Sequence, residues 1–292
     1  MFKKIAIKTG VLTTVFILAV IVSSYVTNRG NTDMSADMGG ATLPRISFTT
    51  EGYEVNSLPG YKSDMTLTSM RDTLTPVTNN QLDMNIAKYD NQIQKVYWQV
   101  YTLNGKKCIQ EGTIKDVQDT VTLNFKNTKI LKEERILKVT LYLDNQNIYF
   151  YTRIKNSADC NYKKSLDFAN DFHNAALENQ GDKVESYLET DSSEDSSTYQ
   201  EVTLASTQSQ VTWGSLAPQV SGNVYWEIKE CNENYTSLVL KYQVKCTGDT
   251  DYADRLYSVK EFFRIRTGED AQQYLLDYDR TMNQRLMVRQ LR

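Results

Sequence analysis

The chain has 292 residues and a single histidine, His173. A metal site built from several histidines is therefore impossible, and the H-E-x-x-H pattern of zinc hydrolases is absent. No Walker A loop, G-x-S-x-G elbow, strand-following G-x-G-x-x-G or C-x-x-C occurs either, which removes the common signatures of nucleotide, hydrolase, dinucleotide and redox chemistry. A serine triad would have to use His173. From the residues alone, we expect no cofactor, no metal, no catalytic set and no enzyme. Only four cysteines are present (Cys108, Cys160, Cys231 and Cys246), too far apart for a small disulfide-stapled scaffold, and they read as incidental. Cys231 with Cys246 is the best candidate pair. A hairpin turning near residues 232–234 would nevertheless put Cys231 beside Tyr235, too far from Cys246 to bond.

Basic residues are also scarce where nucleic acid would need them. The formal charge is −3, and the first thirty residues hold Lys3, Lys4, Lys8 and Arg29 with no acid, so the rest carries −7. An acidic body without a stripe of Lys, Arg and aromatics repels a phosphate backbone, which argues against a nucleic-acid partner. Prolines number four, whereas tyrosine supplies 19 residues, a bias towards strands.

Thr9 to Val26 (TGVLTTVFILAVIVSSYV) contains no charge. Crossing a bilayer core takes about 20 apolar residues, or as few as about 17, and Ile5 to Ile7 complete the span if Lys8 snorkels to the headgroups. Lysines on the short N-terminal side hold that end in the cytoplasm by the positive-inside rule. The expected plan is a cytoplasmic tail (1–8), a transmembrane helix (9–26) contacting the lipid bilayer, and an exported body at the cell membrane. The competing reading is a cleaved signal peptide, for which Val22-Ser23-Ser24 offers a cleavage site. No cysteine lies near the segment's end, which excludes a lipoprotein anchor. Residues 27–42, rich in Gly, Asn, Asp and Ser, read as a flexible linker.

From Leu43 to Ile154, period-two alternation recurs between turn residues. Leu82, Met84 and Ile86 form one such set, as do Val96, Trp98 and Val100; Val121, Leu123 and Phe125; and Leu137, Val139 and Leu141. Asn104-Gly105 predicts a tight hairpin, with Cys108 to Ile114 returning antiparallel. About seven short strands here resemble an immunoglobulin-like or fibronectin-III-like sandwich, giving an all-β domain over 43–156. Trp98 is expected to plug its core.

Beyond it the period lengthens. Tyr162, Leu166, Ala169, Phe172, Ala176 and Leu177 recur at helical spacing within 160–179; Gly181 is placed to cap that helix, and Asp182 to start a second one ending near Leu188. Strands are expected to return at Val202/Leu204, Val211/Trp213, Val224/Trp226/Ile228, Leu238 to Val244 and Tyr257 to Ile265. The phrases FANDFHNAALENQGDKVESYL and YSVKEFFRIR, with this order of elements over Tyr162 to Tyr278, resemble the cone-shaped roll of the NTF2-like and cystatin-like families. That resemblance implies an α+β domain (157–279), a long helix packed on an antiparallel sheet, enclosing a pocket. Residues 280–292, with four arginines and no acid, read as a basic tail: a frayed surface segment, or the point where a truncated chain departs from a longer one.

On the helical wheel His173 falls on the apolar face, so a buried, hydrogen-bonded histidine is the plainer expectation. The sharper one makes His173, with Trp213 and Trp226, the lining of a ligand pocket. The acidic run Asp191 to Ser197 does not match a calcium loop, since the Gly and terminal Glu are missing at the required spacing. Asn234-Tyr235-Thr236 is a glycosylation sequon, meaningful only in a eukaryotic secretory pathway. The expected function is a non-catalytic, membrane-anchored binding, scaffold or regulatory protein of a bacterial cell envelope. By analogy with the membrane-anchored kinase-regulating proteins of Gram-positive bacteria, it would meet another envelope or membrane protein. The alternative is a small-ligand-binding or enzymatic pocket around His173.

Overall fold

The computed structural model describes residues 2–28, 43–126, 128–159, 161–189, 198–248, 251–253 and 255–285. Helix α1 covers Phe2–Asn28, a rise of about 40 Å. Its segment Lys8–Val26 is long and apolar enough to cross a membrane and buries nothing against protein. Leu12 and Phe16 on one side of the helix and Tyr25 on the opposite side are each about two-thirds exposed. The Thr13 and Thr14 hydroxyls donate to the carbonyls of Thr9 and Gly10, both at 2.9 Å. That internal satisfaction is what polar groups require in a hydrocarbon solvent. The helix continues two residues into the expected linker, whose remainder lies outside the described residues.

The body, Ala41–Met287, is a second compact unit. Its first nine strands are β1 (Arg45–Thr50), β2 (Tyr53–Pro59), β3 (Leu74–Val77), β4 (Gln81–Ala87), β5 (Ile93–Thr102), β6 (Cys108–Ile114), β7 (Thr120–Asn124), β8 (Arg135–Leu143) and β9 (Asn147–Asn156). Helices α2 (Tyr162–Leu177) and α3 (Gly181–Val184) follow, then β10 (Glu201–Thr203), α4 (Gln208–Val211), β11 (Pro218–Val220), β12 (Tyr225–Cys231), β13 (Thr236–Cys246), β14 (Leu256–Thr267) and β15 (Gln273–Gln284). They form two sheets in a predominantly β, sandwich-like body. The larger runs β10-β15-β14-β13-β12-β2-β1-β4-β7, with β11 on β13, and the smaller runs β3-β9-β8-β5-β6.

The alternating residues named above supply the core, since Leu82, Met84, Ile86, Val96, Trp98, Val100, Val121, Leu123, Phe125, Leu137, Val139 and Leu141 are all buried. Trp98 packs edge-on against Phe125 at 5.4 Å. The β5–β6 hairpin turns at the expected Asn104-Gly105, where the Gly105 N–H donates to the Thr102 carbonyl at 2.8 Å. Across that hairpin Gly112 opposes Trp98, and a Cβ at residue 112 would lie 2.5 Å from the indole ring. Glycine there is what lets the tryptophan lie flat over the neighbouring strand.

Several expectations are corrected. The left-handed position after α2 is taken by Asn179 (φ 56°), which tolerates it, while Gly181 opens α3. Asp182 sits in the first turn of α3 without capping it, and a 3-10 turn at 185–187 follows. Val211/Trp213 is no strand: Thr207 and Gln210 form a reciprocal capping box that starts α4. Strand β15 runs through 280–284, so Arg280 is a fully buried sheet residue rather than the start of a loose tail; residues 286–292 lie outside the described residues, as does the run Asp191–Ser197. Cys231 is not incidental. It is disulfide-bonded, with Cys108 and Cys246 free, and it faces Thr236 rather than Tyr235.

The larger sheet crosses the expected boundary at 156/157. Its two parts meet where β12 lies parallel to β2, and the ladder there consists of one residue pair, Trp226 with Val55. Next to it, Asn56 adopts φ 53° at a β-bulge and is fully buried. Its side-chain amide donates to the Leu74 carbonyl (3.0 Å) and Thr75 Oγ1 (2.8 Å), and its oxygen accepts from the Ile228 N–H (2.9 Å). One side chain thus ties β2, β3 and β12, and so both sheets, together.

Two outcomes follow. Asn56→Ala leaves buried donors and acceptors unpaired at roughly 1–3 kcal/mol each, so denaturant unfolding should show a loss of at least about 2 kcal/mol, and Asn56→Asp, which cannot donate, should lose as much. Non-reducing peptide mapping should recover Cys231 cross-linked, and the sequence leaves Cys160, outside the described residues, as its candidate partner.

Candidate functional site

Helix α2 places Leu166, Ala169, Phe172, His173 and Ala176 on one buried face, following its three- and four-residue spacing. It packs on β13, β14 and β15. Strand alternation aims Leu240 and Tyr242, then Val259, Glu261 and Phe263, then Tyr278, Arg280 and Met282 at that helix, and register aligns Glu261 with Leu240 on one side and Arg280 on the other. A carboxylate and a guanidinium therefore occupy inward positions of an otherwise apolar and aromatic stripe.

Each charge finds separate partners. Glu261, with no exposed surface, has its Oε1 in contact with His173 Nδ1 (3.1 Å) and receives a short hydrogen bond from the Tyr242 hydroxyl. The His173 ring meets the Tyr242 ring edge-on at 4.9 Å. Burial pushes the Glu261 carboxyl towards protonation, but the His173 imidazole, Arg280 and the Tyr242 hydroxyl outweigh it and hold its pKa below the ordinary 4.5. Burial, reinforced by the Glu261 charge, drives the Tyr242 and Tyr278 phenols far up, so both stay protonated.

Arg280 points elsewhere. Its Nη1 donates to the Val211 carbonyl (2.7 Å) and its Nη2 to the Gln210 carbonyl (2.6 Å), satisfying the C-terminal end of α4. Its guanidinium lies 3.9 Å from the centre of the Trp213 ring. Trp213 is fully buried and held at φ 67°, a left-handed conformation that costs a bulky residue of order 1–3 kcal/mol. Four atoms of this assembly, Trp213 Nε1, Glu261 Oε2, the Tyr278 hydroxyl and Arg280 Nε, are buried without a hydrogen-bond partner among the described residues.

Of the three residues singled out from sequence, His173 contacts Glu261 and Trp213 stacks on Arg280, two cross-strand neighbours with separate partners. Trp226 belongs to the neighbouring aromatic group, stacked at a tilt on Phe263 (6.0 Å), which in turn meets Phe172 and Tyr278. His173 is 4% exposed. Among four clefts lined by described residues, Trp226 lines one of about 400 Å³, and His173 and Trp213 line none. A reacting molecule would have to displace packed side chains to reach the imidazole.

Sequence reasoning missed Glu261, Tyr242, Tyr278 and Arg280. The signal was parity: in YSVKEFFRIR the inward positions read Tyr257, Val259, Glu261, Phe263 and Ile265, so a charge falls in register with the core. The chain matches no protein-family model, and no curated protein and no solved structure is similar to it.

Leaving a buried carboxylate one hydrogen-bond partner short costs about 1–3 kcal/mol, so His173→Phe and Tyr242→Phe, which each remove a partner of Glu261, should each destabilise the fold by about that much. Because the folded Glu261 pKa is depressed, its contribution is complete above pH 4.5 and is lost as pH falls through the lower folded value. Glu261→Gln should flatten the stability profile on that acid limb, as read by denaturant titration at stepped pH.

Proposed function

We propose that this chain is a membrane-anchored, extracytoplasmic binding or scaffold protein of the cell envelope that performs no catalysis. Helix α1 spans the bilayer once with its lysines in the cytoplasm, and the body lies on the far side. Support for the address comes from the disulfide-bonded Cys231, because structural disulfides persist in oxidising compartments. The observation that carries the non-catalytic reading is the sealed position of His173, the chain's one imidazole, between α2 and the sheet. With it goes the finer architecture. Residues 43–156 are an immunoglobulin- or fibronectin-III-like sandwich serving as spacer. Residues 157–279 are an NTF2-like or cystatin-like α+β roll, supported by α2 lying across β13 to β15, and present the recognition surface to another envelope or membrane protein.

A second reading, a small-ligand or enzymatic pocket around His173, is favoured by the buried polar atoms of Glu261, Tyr278 and Arg280 that have no protein partner. Hydrogen exchange separates the two: a sealed core protects the β14 amides near Glu261 up to the global unfolding energy, whereas an opening pocket exposes them well below it.

An epitope tag at the carboxyl end should be digested by protease added to intact protoplasts, and the mature protein should keep its N-terminal sequence. A tag shielded until lysis would overturn the proposed orientation, and an N terminus beginning after Ser24 would replace the anchor with a cleaved signal.

A further inference from the structure

The outer side of α4 carries a feature that none of the preceding readings uses. Between the end of α2 with α3 on one wall and α4 with the 212–215 turn on the other lies a cleft of about 1000 Å³. Its side chains are polar almost throughout, and no aliphatic side chain lines it. Five of them, Asn179, Tyr199, Gln208, Ser209 and Ser215, make no side-chain hydrogen bond to any described residue, so their amides and hydroxyls are free to meet a ligand. Asp182 and Lys183 add one charge of each sign and leave the cleft neutral.

The walls are held in place. Thr207 and Gln210 cap α4, and Arg280 grips its last carbonyls from the core side. Gly214 (φ 48°) brings the turn so near Tyr199 that a Cβ there would lie 2.2 Å from the phenolic oxygen. The Tyr199 ring is itself braced edge-on by Tyr252 at 6.1 Å.

We propose that this cleft binds a neutral oligosaccharide. An apolar ligand finds no aliphatic side chain to desolvate against, and among the described residues a polyanion or polycation finds no excess of opposite charge. What complements free amides and hydroxyls around one tyrosine ring is a chain bearing many uncharged hydroxyls with thin apolar faces between them. Positioning these groups on a braced wall lowers the ordering cost of binding. The inference rests on the reading of the body as an extracytoplasmic binding protein only for where such glycans are met; the contact itself requires the cleft alone.

The test uses the full chain in lipid nanodiscs, titrated calorimetrically with hexamers of N-acetylglucosamine and of glucose, and with a sulfated hexasaccharide. At least one neutral hexamer should bind saturably with a dissociation constant below about 1 mM and more tightly than the sulfated one. Ser215→Trp, which fills the cleft, and Tyr199→Ala, which removes the ring, should each weaken it about tenfold or more in a chain that circular dichroism shows still folded. Ser209→Arg on exposed α4 serves as a further block if either variant unfolds. Saturable binding of neither neutral hexamer, preference for the sulfated chain, or affinity unchanged in the folded variants would overturn the proposal. Because the assay does not depend on orientation in a membrane, its failure is distinct from failure of the protoplast experiment.

Discussion

The buried amide of Asn56 ties β2, β3 and β12 where the two sheets meet, alongside the Arg153 guanidinium, which donates to the Lys229 carbonyl. Where β12 joins β2 the backbone ladder is a single residue pair, too little to define a sheet. The Asn56 side chain substitutes for the missing ladder by bonding to β3 and β12 at once. From Thr75 the hydrogen bonds continue to Thr152 (3.0 Å) and on to Thr73 (2.8 Å), carrying the link into the smaller sheet. In a low-dielectric interior such a chain is worth more than its exposed equivalent, and the loss of one member leaves others unpaired. The position of α2 depends on this join. Its Tyr162 hydroxyl bonds Thr50 (2.8 Å) and its Asp167 accepts from Tyr53 (2.8 Å), so the helix is seated partly by the β1–β2 hairpin of the other half.

With α2 seated, the charged interior becomes explicable. Glu261 and Arg280 are cross-strand neighbours that form no ion pair within 4.0 Å; the carboxylate turns to α2 and the guanidinium to α4. Each thereby fastens a separate element to the same pair of strands. Burying two charges is costly, and several atoms of the group have no partner, so hydrophobic residues of the same size could give a more stable core. What hydrophobic residues could not give is direction. Arg280 fixes α4 by its terminal carbonyls and stacks on Trp213, stabilising a left-handed turn that packing alone would not select.

The sequence made the repetitive parts legible and left the singular ones obscure. Strands such as Val96, Trp98 and Val100 announce themselves because burial on one face imposes period two, and α2 does so because its face recurs at helical spacing. Asn56 could not be read this way. In YEVNSLP nothing marks the fourth residue as a left-handed bulge, and its partner Ile228 lies 172 residues on. Trp213 misled for a related reason: spaced two from Val211 it mimics a strand, and the T-x-x-Q at Thr207 to Gln210 that outweighs the pattern is a weaker local mark. Arg280 looked like the first residue of a basic tail because its surroundings in sequence are basic, whereas β14 recruits it by register.

The same arrangement explains how one short element, α4, meets the buried Arg280 on one side and the open cleft on the other. A short helix such as α4 is too short to be stable by itself, since helix nucleation is unfavourable and four residues close scarcely a turn. It persists because a capping box satisfies one end and a buried arginine the other. Bracing from the inside frees the outer face from any structural duty, which is why its polar side chains can remain without protein partners. The strain at Trp213 and the unpaired buried atoms sit on the inner side of that element, next to the arginine that holds it. A wall that serves only as core would be expected to relax by substitution to apolar residues, and one that must stay in place for a ligand would not.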